Sequence, residues 1–200
     1  MKETSETGSC LRVLDLFSGI GGFSLGLERT GGFKTVAFCE IEEYPRKVLN
    51  KHWPNVPIFN DVRNIHVTDT NNKRMEKRGA FEATQNSSGE GRAHESGSRG
   101  YGRRVTGTCE NGENVTIESV DIITGGFPCQ DISVAGKQKG IEAERSGLWS
   151  ECARLLGEIR PRYAIFENVT ALISGDRGRW FQRVLWDISQ VGYDAEWHCI

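Results

Sequence analysis

Between Leu11 and Arg29 the chain changes character three times, and no other segment limits its fold so sharply. Leu11–Leu16 is a short apolar run interrupted by Arg12, the pattern of a buried strand. Phe17-Ser18-Gly19-Ile20-Gly21-Gly22 follows as a glycine-rich turn, and Phe23 to Arg29 opens a helix. Strand, glycine loop and helix together bring backbone N–H groups close to a bound ligand. The spacing departs from GxGxxG, because Ser24 stands where a third glycine would be. That argues against a pyrophosphate and leaves room for a nucleoside cofactor without phosphates. A tight turn that merely joins strand to helix is the alternative.

The next two strands end on acids. Lys34–Cys39 closes on Glu40, about 20 residues beyond the glycine loop, where a carboxylate can accept from ribose hydroxyls. Tyr44, Val48 and Trp53 mark one face of a helix that stops at Pro54, and a third strand, Val56–Phe59, leads to Asp61. Three successive strand ends thus outline one nucleoside pocket. Glu40 read alone, with Glu42 and Glu43 beside it, is also compatible with a solvated charge at a helix start.

A second organising stretch is Val120–Ser133. Asp121–Thr124 reads as a short buried strand, Gly125-Gly126 as its break, and Pro128 stiffens the chain before Cys129. Ligands of open α/β sheets lie beyond the carboxyl ends of the strands, which is where this thiol falls. Leu148, Cys152, Leu155, Leu156 and Ile159 recur at helical spacing up to Pro161. Tyr163–Phe166 is the next strand, with Glu167-Asn168-Val169 at its end. Phe181, Val184, Leu185, Ile188 and Val191 predict a helix closed by Gly192. Tyr193, Ala195, Trp197 and Cys199 alternate as a last strand, whose apolar edge would favour aggregation.

Asp15-Leu16-Phe17-Ser18-Gly19-Ile20-Gly21-Gly22, then Gly125-Gly126-Phe127-Pro128-Cys129-Gln130, then Glu167-Asn168-Val169 resemble, in order, the hallmark motifs of DNA (cytosine-5) methyltransferases. The resemblance covers Arg12–Asp61 and Val120–Trp197. It implies a Rossmann-like α/β fold, a mostly parallel sheet with helices on both faces, S-adenosylmethionine as cofactor and double-stranded DNA as substrate. On that resemblance Phe17, Gly19 and Gly21 line the methionine end of the cofactor, Glu40 holds the ribose and Asp61 the adenine amine. Ile41, Val62, Pro128 and Leu148 add cofactor contacts; Ile41 stands where some relatives carry an aromatic residue that stacks on adenine. Cys129 and Glu167 are the implied catalytic pair, and Gln130, Ser133, Arg145, Asn168 and Val169 the implied DNA contacts. The loop Ser133–Gly147 corresponds to one that closes over DNA in the family. Burial beneath the flipped base would favour the acid form of Glu167.

The two hundred residues suit one domain, 11–200, preceded by a polar tail, 1–10. No run approaches the roughly 18 apolar residues of a membrane span. Six cysteines without CxxC pairing and four histidines without ligand spacing give no metal motif. Reduced thiols in an intracellular protein are the simplest reading. A net charge of −2 advertises no nucleic-acid partner, so that reading rests on the site. Residues 70–114 are rich in Gly, Ser, Asn, Glu and Arg and predict a disordered or loosely held insert. Within it, residues 73–104 hold eight Lys/Arg against four Glu, enough for non-specific phosphate contact.

The family's late Gln-x-Arg-x-Arg motif, its target-recognition region and its final helix have no counterpart in these residues. The chain thus reads as C-terminally incomplete, expected to need a further segment or a complementary chain before it methylates DNA. A non-catalytic DNA-binding remnant, an RNA cytosine methyltransferase and an NAD-dependent oxidoreductase stay open as other readings.

Overall fold

The computed structural model describes residues 10–69, 103–128 and 147–200. Five strands form a sheet in which every pairing is parallel: β1 (Leu11–Leu16), β2 (Phe33–Cys39), β3 (Ile58–Phe59), β7 (Ile122–Gly126) and β8 (Tyr163–Glu167). Their order is β3-β2-β1-β7-β8, so the chain turns back across the sheet between β1 and β7. Helices α1 (Gly22–Glu28), α2 (Glu43–His52), α3 (Leu148–Ile159), α4 (Ala171–Ser174) and α5 (Arg179–Gln190) complete the layers. This is the α/β class that the alternation of strand and helix predicts.

Side chains of a strand point alternately to opposite faces, and both faces of β2 are covered. Phe38 packs with Leu49, Ile58 and Trp53 on the α2 side, while its neighbours Ala37 and Cys39 join the larger core built from α3 and α5. The helical face predicted for α3 is buried, with Cys152, Leu155, Leu156 and Ile159 inside, and Trp149 joins them. At the opposite end of the strands Asp121 fastens three of them. Its carboxylate accepts from Arg12 N at 2.8 Å, and its carbonyl accepts from Arg162 N and Tyr163 N at 2.8 and 3.2 Å.

Four expectations change. Gly125 and Gly126 do not break β7; they belong to it. A Cβ on Gly125 would stand 2.9 Å from the Leu16 carbonyl, so this glycine marks a close approach of β7 to β1. Strand β3 is two residues long, starting after Pro57, which has no N–H for the ladder but accepts from Phe38 N at 2.9 Å through its carbonyl.

The insert is not wholly loose. β5 (Arg103–Thr108) and β6 (Asn114–Ile117) pair antiparallel, and β4 (His66–Asp69) joins β5, giving a second, three-stranded sheet. Val105 and Gly107 turn inward while Arg104 faces water, so β5 has one covered and one solvated face. Residues 70–102 lie outside the described residues.

The fourth change is at residues 193–200, which form no strand. Tyr193 donates from its hydroxyl to the Pro161 carbonyl at 2.6 Å, and Trp197 packs edge-on against Phe181. Tyr193 and Trp197 thus meet the turn after α3 and the α5 helix, while Cys199 is exposed. The aggregation-prone edge expected there does not exist; among the described residues the open edge beyond β7 is β8, with Tyr163 and Ile165 exposed.

Candidate active site

The carboxyl ends of all five parallel strands bring the predicted residues into one row: Asp61 beyond β3, Glu40 after β2, Phe17–Gly21 after β1, Phe127-Pro128 after β7 and Glu167–Val169 at the end of β8. The reversal of strand order between β1 and β7 lies in the middle of that row, where crevices of such sheets take ligands.

The glycine loop is held in unusual backbone geometry. Phe17, Gly19 and Gly21 all have positive φ, at 51°, 53° and 87°. Glycine tolerates this region freely; Phe17 does not, at a cost of about 1–2 kcal/mol. Ser18 provides the compensation. Its N–H donates to the Cys39 carbonyl at 3.1 Å, its hydroxyl donates to the Asp15 carbonyl at 2.6 Å, and the hydroxyl accepts from Cys39 N at 3.2 Å. Gly21 carries a packing demand as well, since a Cβ there would meet the Trp53 ring at 2.7 Å. At Gly19 a Cβ would meet nothing within 4 Å, so the loop faces open space at that point.

Glu40 is buried and ties loop to turn. One carboxylate oxygen accepts from Gly19 N at 2.7 Å and the other from Glu42 N at 2.8 Å. Asp61 is engaged differently. Arg63 forks onto its carboxylate through Nε at 2.9 Å and Nη2 at 2.5 Å, and the Arg63 hydrogen bond holds the Asp61 carboxyl below its ordinary range. An amine seeking Asp61 must share it with that guanidinium. Ile41 is exposed beside Glu40, whereas Val62 is buried in the core and Leu148 packs against it.

On the other side of the reversal, Asn168 donates from Nδ2 to the Phe127 carbonyl at 2.7 Å and accepts from Val169 N at 2.9 Å. The end of β8 is thereby tied to the peptide before Pro128. Glu167 pairs in register with Gly126, and a Cβ on that glycine would stand 3.0 Å from its Oε2. Glu167 is exposed at the strand end. Cys129, Gln130, Ser133 and Arg145 lie outside the described residues.

Beneath this row lie residues to which the sequence alone gave no role of their own. Asp15 is fully buried; it accepts from Thr124 Oγ1 at 2.7 Å and from Ser24 Oγ at 2.8 Å, joining β1 to β7 and α1. Burial, opposed by those hydroxyls and the Ser24 amide and aided by Glu40, pushes its carboxyl up to about 6. A lone acid inside an apolar strand was the available signal. Phe127, Trp149 and Phe166 pack ring against ring beneath the ends of β7 and β8, with centroids 4.9–6.2 Å apart. Trp149 also donates to Asp187 on α5 at 2.9 Å. Among the described residues no cluster of His, Cys, Asp and Glu could hold a metal ion, and no helix is long and apolar enough to cross a membrane.

A profile of the C-5 cytosine-specific DNA methylases matches residues 11–76 and 99–200. The chain belongs to that family. It is 31% identical over 182 residues to the type II methyltransferase M.PspPI of a Psychrobacter strain, covering 90% of this chain and 32% of the relative. With M.Eco47II of Escherichia coli it shares 30% over 192 residues, 96% of this chain and 35% of that one. The chain therefore spans about a third of the length of these curated relatives. Two solved structures share the fold. One is a putative DNA modification methyltransferase encoded within an E. coli prophage (TM-score 0.50, 20% identity, 90% of this chain and 38% of that one). The other is a DNMT2 mutant of Spodoptera frugiperda (TM-score 0.51, 17% identity, 89% and 41%).

Proposed function

We propose that the protein methylates cytosine in double-stranded DNA at C5, with S-adenosylmethionine as methyl donor. The observation that carries the reading is the row of strand ends, in which Glu40 is hydrogen-bonded to the glycine loop and Asn168 holds the chain two residues before Cys129. Family membership supports the same reaction.

The residues present fit the cofactor. Glu40 keeps lone pairs for ribose hydroxyls, Asp61 is an acceptor near the adenine end, and the open space at Gly19 suits a ligand lying along the loop. Ile41 offers apolar contact to the base from its exposed position. Bound there, S-adenosylmethionine supplies an electrophilic sulfonium methyl.

The chain's own residues must make C5 of cytosine nucleophilic. The Cys129 thiolate adds to C6, so electron density moves toward N3 and C5 becomes enamine-like. Glu167, as a carboxylic acid, donates a hydrogen bond at N3 and steadies that charge. It is exposed at the strand end, where a base flipped out of the duplex would cover it. Asn168 orders the Pro128 peptide and does not react. Once C5 carries its methyl, loss of the C5 proton and expulsion of Cys129 restore the ring.

The test is covalent trapping by DNA with 5-fluorocytosine at the target, because fluorine cannot leave as a proton does. The longest form of the protein that its gene encodes should give a stable protein–DNA adduct in the presence of S-adenosylmethionine. Cys129→Ala should abolish the adduct and spare cofactor binding. Wild-type turnover by that variant would refute the mechanism.

A further inference from the structure

Two elements outside the motifs meet at the turn that carries Glu40 and Ile41. Arg46, on α2, donates through Nη1 to the carbonyls of Ile41 and, at 3.4 Å, of Glu40. Through Nη2 it reaches the Glu110 carboxylate, also at 3.4 Å. The guanidinium is largely buried, with 12% of the Arg46 side chain exposed against 58% for Glu110. Glu110 sits in the turn between β5 and β6, which carries hydrogen bonds of its own. Cys109 N donates to the Glu113 carbonyl and Gly112 N to the Cys109 carbonyl, both at 2.9 Å, and Asn111 holds Glu113 through backbone and side chain.

That hairpin is seated on the outermost strand of the main sheet. Asn60 N donates to the Thr108 carbonyl at 2.9 Å, and Cys109 bridges to Phe59. Gly107 lies so close over the Phe59 ring that a Cβ would stand 2.4 Å from it. Strand β3 gains from this, since its own pairing to β2 is only two residues long.

We infer that Arg46 is a positioning residue for the adenosine half of the cofactor site, and that the second sheet, through Glu110, orients it. The inference rests on the reading of S-adenosylmethionine as ligand. Two successive carbonyls drawn to one planar cation fix the backbone of the turn. Phe59 holds the same turn from the other side, its carbonyl accepting from Glu40 N at 3.0 Å. Glu40 then presents its carboxylate to Gly19 and Glu42 while Ile41 stays outside. A lysine has no fork with which to serve both carbonyls and Glu110 together.

The experiment compares wild type with Arg46→Gln, Arg46→Lys, Glu110→Gln and the Arg46→Gln/Glu110→Gln pair, in the longest form that the gene encodes. Titration calorimetry with S-adenosylmethionine and with 5′-methylthioadenosine should show a roughly 10-fold loss for Arg46→Gln, of similar size for both ligands, as expected for a hydrogen bond to a charged group. Arg46→Lys should recover part of that loss. Glu110→Gln should weaken binding less, and add little in the double variant because both act on one turn. KM for the cofactor should rise with kcat unchanged, which a general loss of structure would not produce. Without ligand, amide exchange at Glu40 and Glu42, whose N–H groups are hydrogen-bonded in this turn, should quicken in Arg46→Gln. Wild-type affinity in Arg46→Gln, or unchanged exchange at those amides, overturns the inference. Failure of the wild type itself to bind either ligand overturns the cofactor reading, and with it any service of Arg46 to that ligand.

Discussion

Asp15 offers the sharpest test of how this site is held together. Its carboxylate is fully buried between β1, β7 and α1, and its carboxyl rises from the ordinary 3.8 to about 6. Asp15 therefore binds a proton more tightly in the folded chain than in the unfolded one. Between the two values the folded state holds more protons, so stability falls as pH rises. The contribution is intact below the unfolded value and is lost as pH climbs through about 6. The rise corresponds to about 3 kcal/mol at neutral pH, of which roughly half is already lost at pH 5.

Asp15→Asn keeps the shape and removes the ionisation. Against the relief of about 3 kcal/mol stands a mismatch of about 1 kcal/mol, because the amide must accept from one hydroxyl and donate to the other. The variant is expected to be about 2 kcal/mol more stable than wild type at pH 8. Its advantage should grow by about 1.5 kcal/mol between pH 5 and pH 8. Urea unfolding of both proteins at several pH values measures this, and groups remote from Asp15 cancel in the difference. Glu40 does not cancel fully, since its charge adds to the rise at Asp15, and Asp15→Asn with Glu40→Gln isolates that part. A stability difference that does not change with pH would refute the reasoning.

Four other substitutions probe the row of strand ends. Gly21→Ala combines a φ of 87° with a clash against Trp53, and should cost about 2–4 kcal/mol in urea unfolding. Asn168→Ala leaves the Phe127 carbonyl without its donor, and should lower kcat roughly 10-fold with cofactor affinity unchanged in calorimetry. Glu167→Gln should reduce turnover by roughly 10²–10⁴ while the adduct with 5-fluorocytosine DNA forms slowly but detectably. Arg63→Ala frees the Asp61 carboxylate, so S-adenosylmethionine should bind at least as tightly; weaker binding would show that the guanidinium helps hold the ligand.

Most of the parallel sheet was legible because its signals are local. Leu11–Leu16 matches β1 residue for residue, and the helical face from Leu148 to Ile159 matches α3. What stayed hidden depends on partners distant in sequence. Gly125 and Gly126 look like a break until Leu16 of β1 is seen against the first and Glu167 of β8 against the second. The strand Arg103–Thr108 looks like polar filler, because its inward positions are only Val105 and Gly107 and its fit is decided by Phe59. Conversely, the alternation from Tyr193 to Cys199 is a true period of two, yet no strand pairs there, and Tyr193 and Trp197 meet the Pro161 carbonyl and the Phe181 ring instead. The candidate site divides in the same way. Phe17, Gly19, Glu40, Asp61 and Glu167 stand at strand ends, where sequence position alone places them. Asp15, Arg46 and the Phe127–Trp149–Phe166 stack act through neighbours that no spacing rule connects.

The two halves of the row are held by different means, and this bears on how they could work together. On the cofactor side, Glu40 bonds both the loop after β1 and the turn after β2, so neither can shift without the other. On the catalytic side, the described tether is a single side chain, Asn168, reaching one carbonyl. Asp15 is the element common to both, since Ser24 lies at the start of α1 and Thr124 two residues before the end of β7. Two hydrogen bonds to one carboxylate thus add a side-chain link, reaching α1 as well, to the backbone ladder that already joins β1 to β7. Protonation of that carboxylate would turn one of its acceptor oxygens into a donor and loosen the link. The coupling between cofactor affinity and 5-fluorocytosine trapping should therefore weaken in Asp15→Asn even though that protein is the more stable of the two. A double-mutant cycle of Asp15→Asn with Asn168→Ala, read in the trapping rate, would detect this as non-additivity; strictly additive effects would mean that the two sides are positioned independently.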